Sequence, residues 1–308
     1  VNKSPDMRVN IAGVELRSPV IAASGTFGYG LEFEDILSLD KIGAFVTKGL
    51  SAEPMAGNPS PRIIETASGM MNAIGLQNVG VRAFIAEKLP KIRQIKGAVC
   101  IANVFGYTVE DCIQVVRELD QADGIAMYEL NASCPNTSHG GMVFGTDGIM
   151  LYDLVTRVRR RTQRPVMVKL SPNVTNIGHM ARVAQDAGAD AVSLVNTFLA
   201  LSIDIETRKP RIANTTGGLS GPAIKPIAVR MVREASKAVS IPVVGLGGIV
   251  CAEDAVEFLL AGATAVQVGT ASYADPRAVE TIANGLRTWC KSHEVERARD
   301  LTGAMLSA

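Results

Sequence analysis

The sequence predicts a (β/α)8 barrel, and three features carry that reading. An apolar, β-branched run ending in a small, polar or glycine-rich step occurs eight times. Continuous apolar runs of this length suit parallel strands covered on both faces. Stretches with helical spacing of apolar residues separate the runs, and strand–helix alternation repeated eight times closes a barrel where fewer repeats would leave an open sheet. The chain has 308 residues, 47% of them hydrophobic and 20% charged, enough apolar material for one large domain spanning 1–308.

The elements follow in order. Residues 7–19, MRVNIAGVELRSP, alternate weakly around Ala12-Gly13, which suggests a hairpin plugging the bottom of the barrel. The eight strand runs are VIAASG (20–25), AFVTKG (44–49), AVCIANVFG (98–106), IAMYELNASCPN (125–136), VMVKLSP (166–172), AVSLVNT (191–197), PVVGLGG (242–248) and AVQVGTA (265–271). Helical spacing links Ile149, Leu151, Leu154, Val155 and Val158, and again Ile177, Met180, Ala181, Ala184 and Ala187. Gly188 and Gly262 follow such stretches, where a C-terminal glycine cap belongs. Two strand-to-helix connections are long: residues 50–74, with Pro54, Pro59 and Pro61, and residues 198–222, with the run TTGGLSG. Long loops in a compact barrel open on its C-terminal face, where active sites sit. Arg157, Arg159, Arg160 and Arg161 read as a solvated helix end that complements the dipole.

Composition excludes several function classes. Lys plus Arg is 31 against 30 for Asp plus Glu, so a net charge of +1 gives no general attraction for nucleic acid. The most apolar region, 239–252, is broken by Ser240, Pro242 and a glycine cluster, so no membrane span is expected. The opening VNKSPDMRVN lacks the apolar core of a secretory signal, as an already processed chain also would; the expected address is the cytoplasm. Five cysteines form no CxxC pair and none stands beside histidine at ligand spacing, so reduced thiols and no metal site are expected.

The polar groups at the strand ends are Ser24, Lys48, Asn103, Asn131 with Cys134, Lys169, Asn196 with Thr197, Gly247-Gly248 and Gly269-Thr270. With no histidine and no strand-end carboxylate pair, metal hydrolysis and paired-carboxylate catalysis lose their usual equipment. Neutral amides read a ligand with amide or ureide edges, and lysines attract negative charge. A single asparagine at a strand end more often satisfies loose backbone groups; three on separate strands favour a ligand. Glycine steps after the seventh and eighth strands fit the phosphate site common to such barrels, although tight turns also use glycine. Cys134 stands just past a strand with Pro135 fixing the chain behind it, whereas Cys100, Cys112, Cys251 and Cys290 read as buried, inert thiols.

In combination NASCPN, TKG, MNAIGLQNVG, VKLSPN and GLGGI resemble dihydroorotate dehydrogenases, in the family's order and over nearly the whole chain to about Trp289. The resemblance implies an FMN-binding (β/α)8 barrel that oxidises dihydroorotate to orotate in pyrimidine biosynthesis. Cysteine in the NxSCPN motif is similar to the soluble members; quinone-using, membrane-attached members carry serine there. The run Asn72-Ala73-Ile74-Gly75-Leu76-Gln77-Asn78 and the run Gly217-Gly218-Leu219-Ser220-Gly221 resemble the NAD-linked subclass. That subclass implies a homodimer of this chain within a heterotetramer, with an electron-transfer subunit bearing FAD and a 2Fe–2S cluster.

By the same resemblance Cys134 is the general base that removes the C5 proton while the C6 hydride passes to flavin N5. Lys169 is expected by the flavin N1 and O2 edge, and Lys48 near both flavin and the orotate carboxylate. Asn72, Asn131, Asn196 and Thr197 match pyrimidine-reading positions, with Ala73 in the same run and the backbone of Ile74, Gly75 and Leu76 helping to hold the carboxylate. Ser24, Gly49, Asn103, Asn131, Val195, Gly221, Gly247, Gly248, Gly269 and Thr270 match flavin-binding positions. Rival readings are a fumarate-linked member, a dihydropyrimidine dehydrogenase-like flavoprotein, which usually has histidine where Asn136 stands, an inosine-monophosphate dehydrogenase-like barrel without flavin, and a catalytically silent ligand-binding barrel.

Overall fold

The structure, a computed structural model, describes residues 4–132 and 144–306. Eight strands close into a barrel in chain order. They are Val20–Ala22, Ala44–Val46, Cys100–Val104, Met127–Asn131, Val166–Lys169, Ala191–Leu194, Val243–Leu246 and Ala265–Val268. Every neighbouring pair is parallel. All eight coincide with the apolar runs of the sequence, and the fold is the (β/α)8 barrel they predict.

Helices follow most strands, and their starts are written in the sequence. Thr108 and Asp111 form a capping box on the helix Val109–Asp120. Asp147 caps Gly148–Arg159 and Asn176 caps Ile177–Asp186. Each such cap contributes about 0.5–2 kcal/mol. Gly262 ends the helix Ala252–Ala261 at φ +123°, and Gly188 stands just past Ile177–Asp186 at φ +100°, the conformation that favours glycine.

Three details depart from the sequence reading. The first strand is followed by two 3₁₀ turns, Leu31–Phe33 and Leu39–Lys41, where the alternation calls for a helix. Gly28 and Gly30 at positive φ break helical progression there. Lys41 pairs with Glu280 at 2.8 Å, tying this segment to the helix Ala278–Ser292. Ile149 belongs to the apolar spacing but is 83% exposed, because it stands two residues before the buried Leu151 and so on the opposite side of the helix from Leu151, Leu154, Val155 and Val158. Cys251 is exposed at the N-cap of Ala252–Ala261, unlike the buried Cys100, Cys112 and Cys290. The arginine run behaves as a solvated helix end: Arg157 pairs with Glu110 and Asp153, and Arg159 with Asp190.

The predicted hairpin is Val9–Ile11 paired antiparallel to Val14–Leu16. Val9, Ile11 and Leu16 pack on Ile21, Val46, Ile101, Met127, Met167 and Val244, a dry cluster that fills the N-terminal end of the barrel. The end of the chain folds back on the same side. Asp6 exchanges backbone hydrogen bonds with that tail, its N–H reaching Glu296 O at 2.8 Å and its carbonyl accepting from Ala298 N–H at 2.8 Å.

The two long connections are more ordered than their composition suggests. Residues 50–74 contain the hairpin Ile63–Thr66 and Gly69–Asn72; the second connection contains Phe198–Leu201 and Thr216–Ser220. All four strands join in one antiparallel sheet, Gly69–Asn72 pairing with Thr216–Ser220. The run TTGGLSG is therefore largely strand. Its glycines permit close crossing: a Cβ on Gly218 would lie 1.9 Å from Thr197 Oγ1, and one on Gly217 would lie 2.8 Å from Asn72 O.

Candidate active site

A pocket opens at the C-terminal end of the barrel, beneath the four-stranded sheet. Of the residues singled out in the sequence, Ser24, Lys48, Gly49, Asn72, Ile74, Gly75, Leu76, Asn103, Asn131, Lys169, Val195, Asn196, Thr197, Gly221, Gly247, Gly248, Gly269 and Thr270 line it. Ala73 does not: it is fully buried with Met71 and Ile212 in a small cluster of its own, because alternation along this chain turns it away from its neighbours Asn72 and Ile74. Cys134 lies outside the described residues.

Strand geometry explains how the polar groups converge. Asn131 is the register partner of Lys169, and Lys169 in turn of Ser193. Side chains two residues apart face the same side of a strand. Met127, Met167, Ile101, Ala191 and Ala265 fill the dry lower layer. Two residues further along the same five strands stand Glu129, Lys169, Asn103, Ser193 and Gln267, all buried. Glu129, Ser193 and Gln267 were hidden inside runs read as apolar; the period-two offset from the lower layer is the signal that marks them.

Glu129 is the hub of this layer. It accepts from Asn103 Nδ2 at 2.7 Å, Gln267 Nε2 at 2.6 Å and Ser193 Oγ at 3.0 Å, and Lys169 Nζ lies 3.8 Å away. Burial depresses the Lys48 ammonium below its ordinary value, and the nearby Arg62 guanidinium adds to the effect. The Tyr273 phenol at the pocket edge is raised by burial.

The loop 74–80 is held from behind. Asn78, buried, donates to Leu76 O at 2.8 Å and to Ser51 Oγ at 2.8 Å, while its Oδ1 accepts from Gly80 N–H at 2.8 Å. Gly75 and Leu76 both take positive φ, 73° and 56°. A Cβ on Gly75 would meet Asn58, whose amide donates to Ala73 O at 3.0 Å. Asn173 likewise clamps the second long connection, donating to Thr197 O at 3.1 Å and accepting from Leu199 N–H at 3.0 Å. These asparagines of the MNAIGLQNVG and VKLSPN runs shape the rim.

The glycine steps form a side-chain-free cradle. Gly248, at φ +79°, has no room for a Cβ, which would lie 2.8 Å from Gly221 O and 2.8 Å from Lys225 Cβ. Gly269 differs: a Cβ there would make only ordinary contacts, the nearest being Ala23 Cβ at 3.5 Å. In the buried polar layer, Asn103 Oδ1 and Gln267 Oε1 lack a hydrogen-bond partner among the described residues. Unsatisfied buried acceptors are costly unless a ligand meets them. These orphaned acceptors, the cradle and Lys169 fit a phosphate-bearing ligand with a planar, hydrogen-bonding ring, as FMN is.

Fold and pocket together define a (β/α)8 barrel whose C-terminal face carries a pocket lined by amides, two lysines and bare backbone. Comparison with known proteins gives the family: the Dihydroorotate dehydrogenase family model matches residues 6–289, and the chain belongs to that family of oxidoreductases. The chain is similar to the protein named dihydroorotate dehydrogenase B (NAD(+)), catalytic subunit, of Geotalea uraniireducens, at 55% identity over 98% of this chain and 99% of the relative. It is 56% identical to the protein of that name from Pelobacter propionicus, over 98% of this chain and 99% of the relative. A relative from Solibacter usitatus, 55% identical over 98% of this chain and 99% of its own length, bears a name that assigns it provisionally to the fumarate-linked A type. Oxidation of dihydroorotate, a step of pyrimidine biosynthesis, is the activity of the family. No helix among the described residues is long and apolar enough to cross a membrane, and they contain no cluster of three or more His, Cys, Asp or Glu able to hold a metal.

Proposed function

We propose that this chain is a single-domain, FMN-bearing catalytic subunit that oxidises dihydroorotate to orotate in the cytoplasm and passes electrons to NAD through a partner subunit. The observation that carries the reading is the shared pocket of Lys48, Lys169, Asn72, Asn131 and Asn196, which combines amides for a pyrimidine with positive charge for its carboxylate. FMN, held by Lys169, Asn103 and the glycine steps, would supply hydride-accepting chemistry at C6 of the substrate. Cys134 removes the C5 proton as thiolate. An ordinary thiol, with a pKa of about 8.5, is only slightly ionised at neutral pH, so the rate climbs with pH unless the site lowers that value. Lys169 would place positive charge beside the flavin ring, and Lys48 attracts the substrate carboxylate. The loop 74–80, braced by Asn78, offers backbone N–H groups to the same carboxylate.

The curated names support the NAD-linked assignment, as does the GGLSG strand against Asn72 and Thr197. In the proposed assembly a homodimer of this chain binds two copies of a subunit carrying FAD and a 2Fe–2S cluster. No GxGxxG run opens a βαβ unit in this sequence that could hold a dinucleotide. A fumarate-linked enzyme is the second reading, favoured by the Solibacter usitatus relative.

The test is an absorption spectrum of the purified chain before and after anaerobic dihydroorotate. A flavin spectrum that bleaches, with turnover on artificial dyes and no useful NAD⁺ reduction until the partner subunit is added, is the expected result. A colourless protein, or one that dihydroorotate does not bleach, overturns the flavin reading. Efficient NAD⁺ reduction by the chain alone overturns the partner, and rapid turnover with fumarate by a stand-alone homodimer moves it to the other subclass.

A further inference from the structure

Glu129 is fully buried in the middle of the barrel, where stability alone does not explain a carboxylate: a well-packed apolar residue is often as good or better. Two neighbours in its layer are equally unusual. Asn103 and Gln267 are each 1% exposed, come from strands on opposite sides of the barrel sequence, and both turn their amide nitrogens to this one carboxylate. A carboxylate is acceptor-only, so it fixes both amides the same way round. Their oxygens must then face away from it, and both find no partner among the described residues. Both residues line the pocket, and Gly49, also a lining residue, leaves space beside the Asn103 oxygen, where a Cβ would lie 3.0 Å from it.

We propose that Glu129 is a positioning residue that sets the hydrogen-bond polarity of the pocket floor, so that the floor presents acceptors and takes a planar ring through an imide N–H. The inference rests on the function proposed above and deepens it. Two ligands of that reading carry such a group, the isoalloxazine ring of FMN and the pyrimidine ring of orotate. Replacing Glu129 by glutamine reverses the logic. The new amide has one accepting and one donating end, so either Asn103 or Gln267 must turn over and direct its NH2 to the cavity, against the ligand's N–H.

The experiment measures binding, not turnover. Full-length protein stripped of cofactor is titrated with FMN and with its 3-methyl analogue, which lacks the imide N–H, by fluorescence quenching. Reloaded protein is titrated with orotate by the shift of its flavin spectrum. Two variants are used, Glu129→Gln and Gln267→Leu; the second removes one acceptor while leaving Glu129 beside Lys169, and serves alone if the first does not fold. Each is expected to weaken the cognate ligand about ten-fold or more, the effect of one buried hydrogen bond. The selectivity for FMN over the methyl analogue shrinks with it if the flavin is the donor. Orotate binding weakens, with FMN selectivity unchanged, if the pyrimidine is the donor. A purely structural role weakens FMN and its analogue alike, leaving the ratio and orotate binding untouched, and that result, or wild-type affinities throughout in a folded variant, overturns the proposal. Wild-type protein that binds no FMN overturns the flavin reading, and this inference with it, before any variant is made.

Discussion

The two ends of the barrel are built from the same strands and have opposite chemistry. At the N-terminal end Ile21, Ile101, Met127, Met167 and Val244 enclose the hairpin residues Val9, Ile11 and Leu16 in a cluster with no polar member. One pleat further along, Asn103, Glu129, Lys169 and Gln267 occupy the same inward-facing columns. The lower layer stabilises the closed sheet at roughly 1.5–3 kcal/mol per large side chain buried. The upper layer withholds that contribution and stores unsatisfied hydrogen-bonding capacity in its place. Stability and recognition are thus separated along the strand axis by a step of two residues, and substitutions at the two ends should fail in different ways.

The largest expected effect is at the pocket end. Cys134→Ala keeps its flavin and binds orotate, but anaerobic reduction by dihydroorotate, followed in a stopped-flow spectrophotometer, slows by about 10²–10⁴, the usual loss for a general base. Cys134→Ser recovers some rate only at high pH, since a hydroxyl is a far weaker acid than a thiol. Normal turnover in the alanine variant would assign the base to another group.

At the opposite end Leu16→Ala removes a fully buried side chain from the plug and costs about 2–5 kcal/mol in denaturant unfolding, with FMN and orotate affinities unchanged. Gly269→Asp is its mirror. No backbone strain or close contact opposes the new Cβ, yet the carboxylate enters the proposed phosphate cradle. The protein is expected to purify colourless with an unfolding midpoint near that of cofactor-stripped wild type. If Leu16→Ala altered ligand affinity as much as stability, the separation of the two ends would be wrong.

Smaller effects sharpen the picture within the pocket. Lys169→Ala makes the flavin harder to reduce by about 30–60 mV, the equivalent of about 1.5–3 kcal/mol for a charged hydrogen bond in a two-electron couple, measured by dye equilibration. Lys48 gives the smallest signal, a pH dependence. Its folded-state pKa is lowered by burial, so the charged form is disfavoured and stability rises with pH between the folded value and the unfolded value of about 10.4. An anionic ligand favours the charged form, so orotate affinity falls as pH rises through the lowered value, earlier than for an exposed lysine. Lys48→Met should abolish that dependence and weaken orotate binding at neutral pH.

The barrel was legible in the sequence because eight covered strands must each be an apolar run, and the rim residues because a strand end is where such a run stops. Lys48, Asn131, Lys169, Asn196 and the glycine steps all stand at those ends. Glu129, Ser193 and Gln267 were missed for the converse reason: a single polar residue inside an apolar run leaves the run recognisable, and only the pleat reveals which way it faces. Ala73 was over-read, since a contiguous motif invites one role for all its members while alternation sends every second side chain away. The first connection lacks its helix because Gly28 and Gly30 adopt conformations that no helix contains. The small sheet over the pocket was invisible because its partners come from distant loops and one strand, TGGLS, is poor in residues that favour strands.

That small sheet also sets a schedule for synthesis. Met70 and Ser220 meet across its central pairing although they are 150 residues apart in the chain. At about 5–20 residues per second, a ribosome takes roughly 8–30 s to deliver the second partner after the first has emerged. Throughout that interval the hairpin Ile63–Asn72 presents an open edge with Met70 and Met71 uncovered, a template for unwanted pairing with a neighbouring nascent chain. The roof of the pocket is therefore the part of the molecule whose success in the cell depends most on crowding at the polysome and on chaperones that shield an unfinished edge.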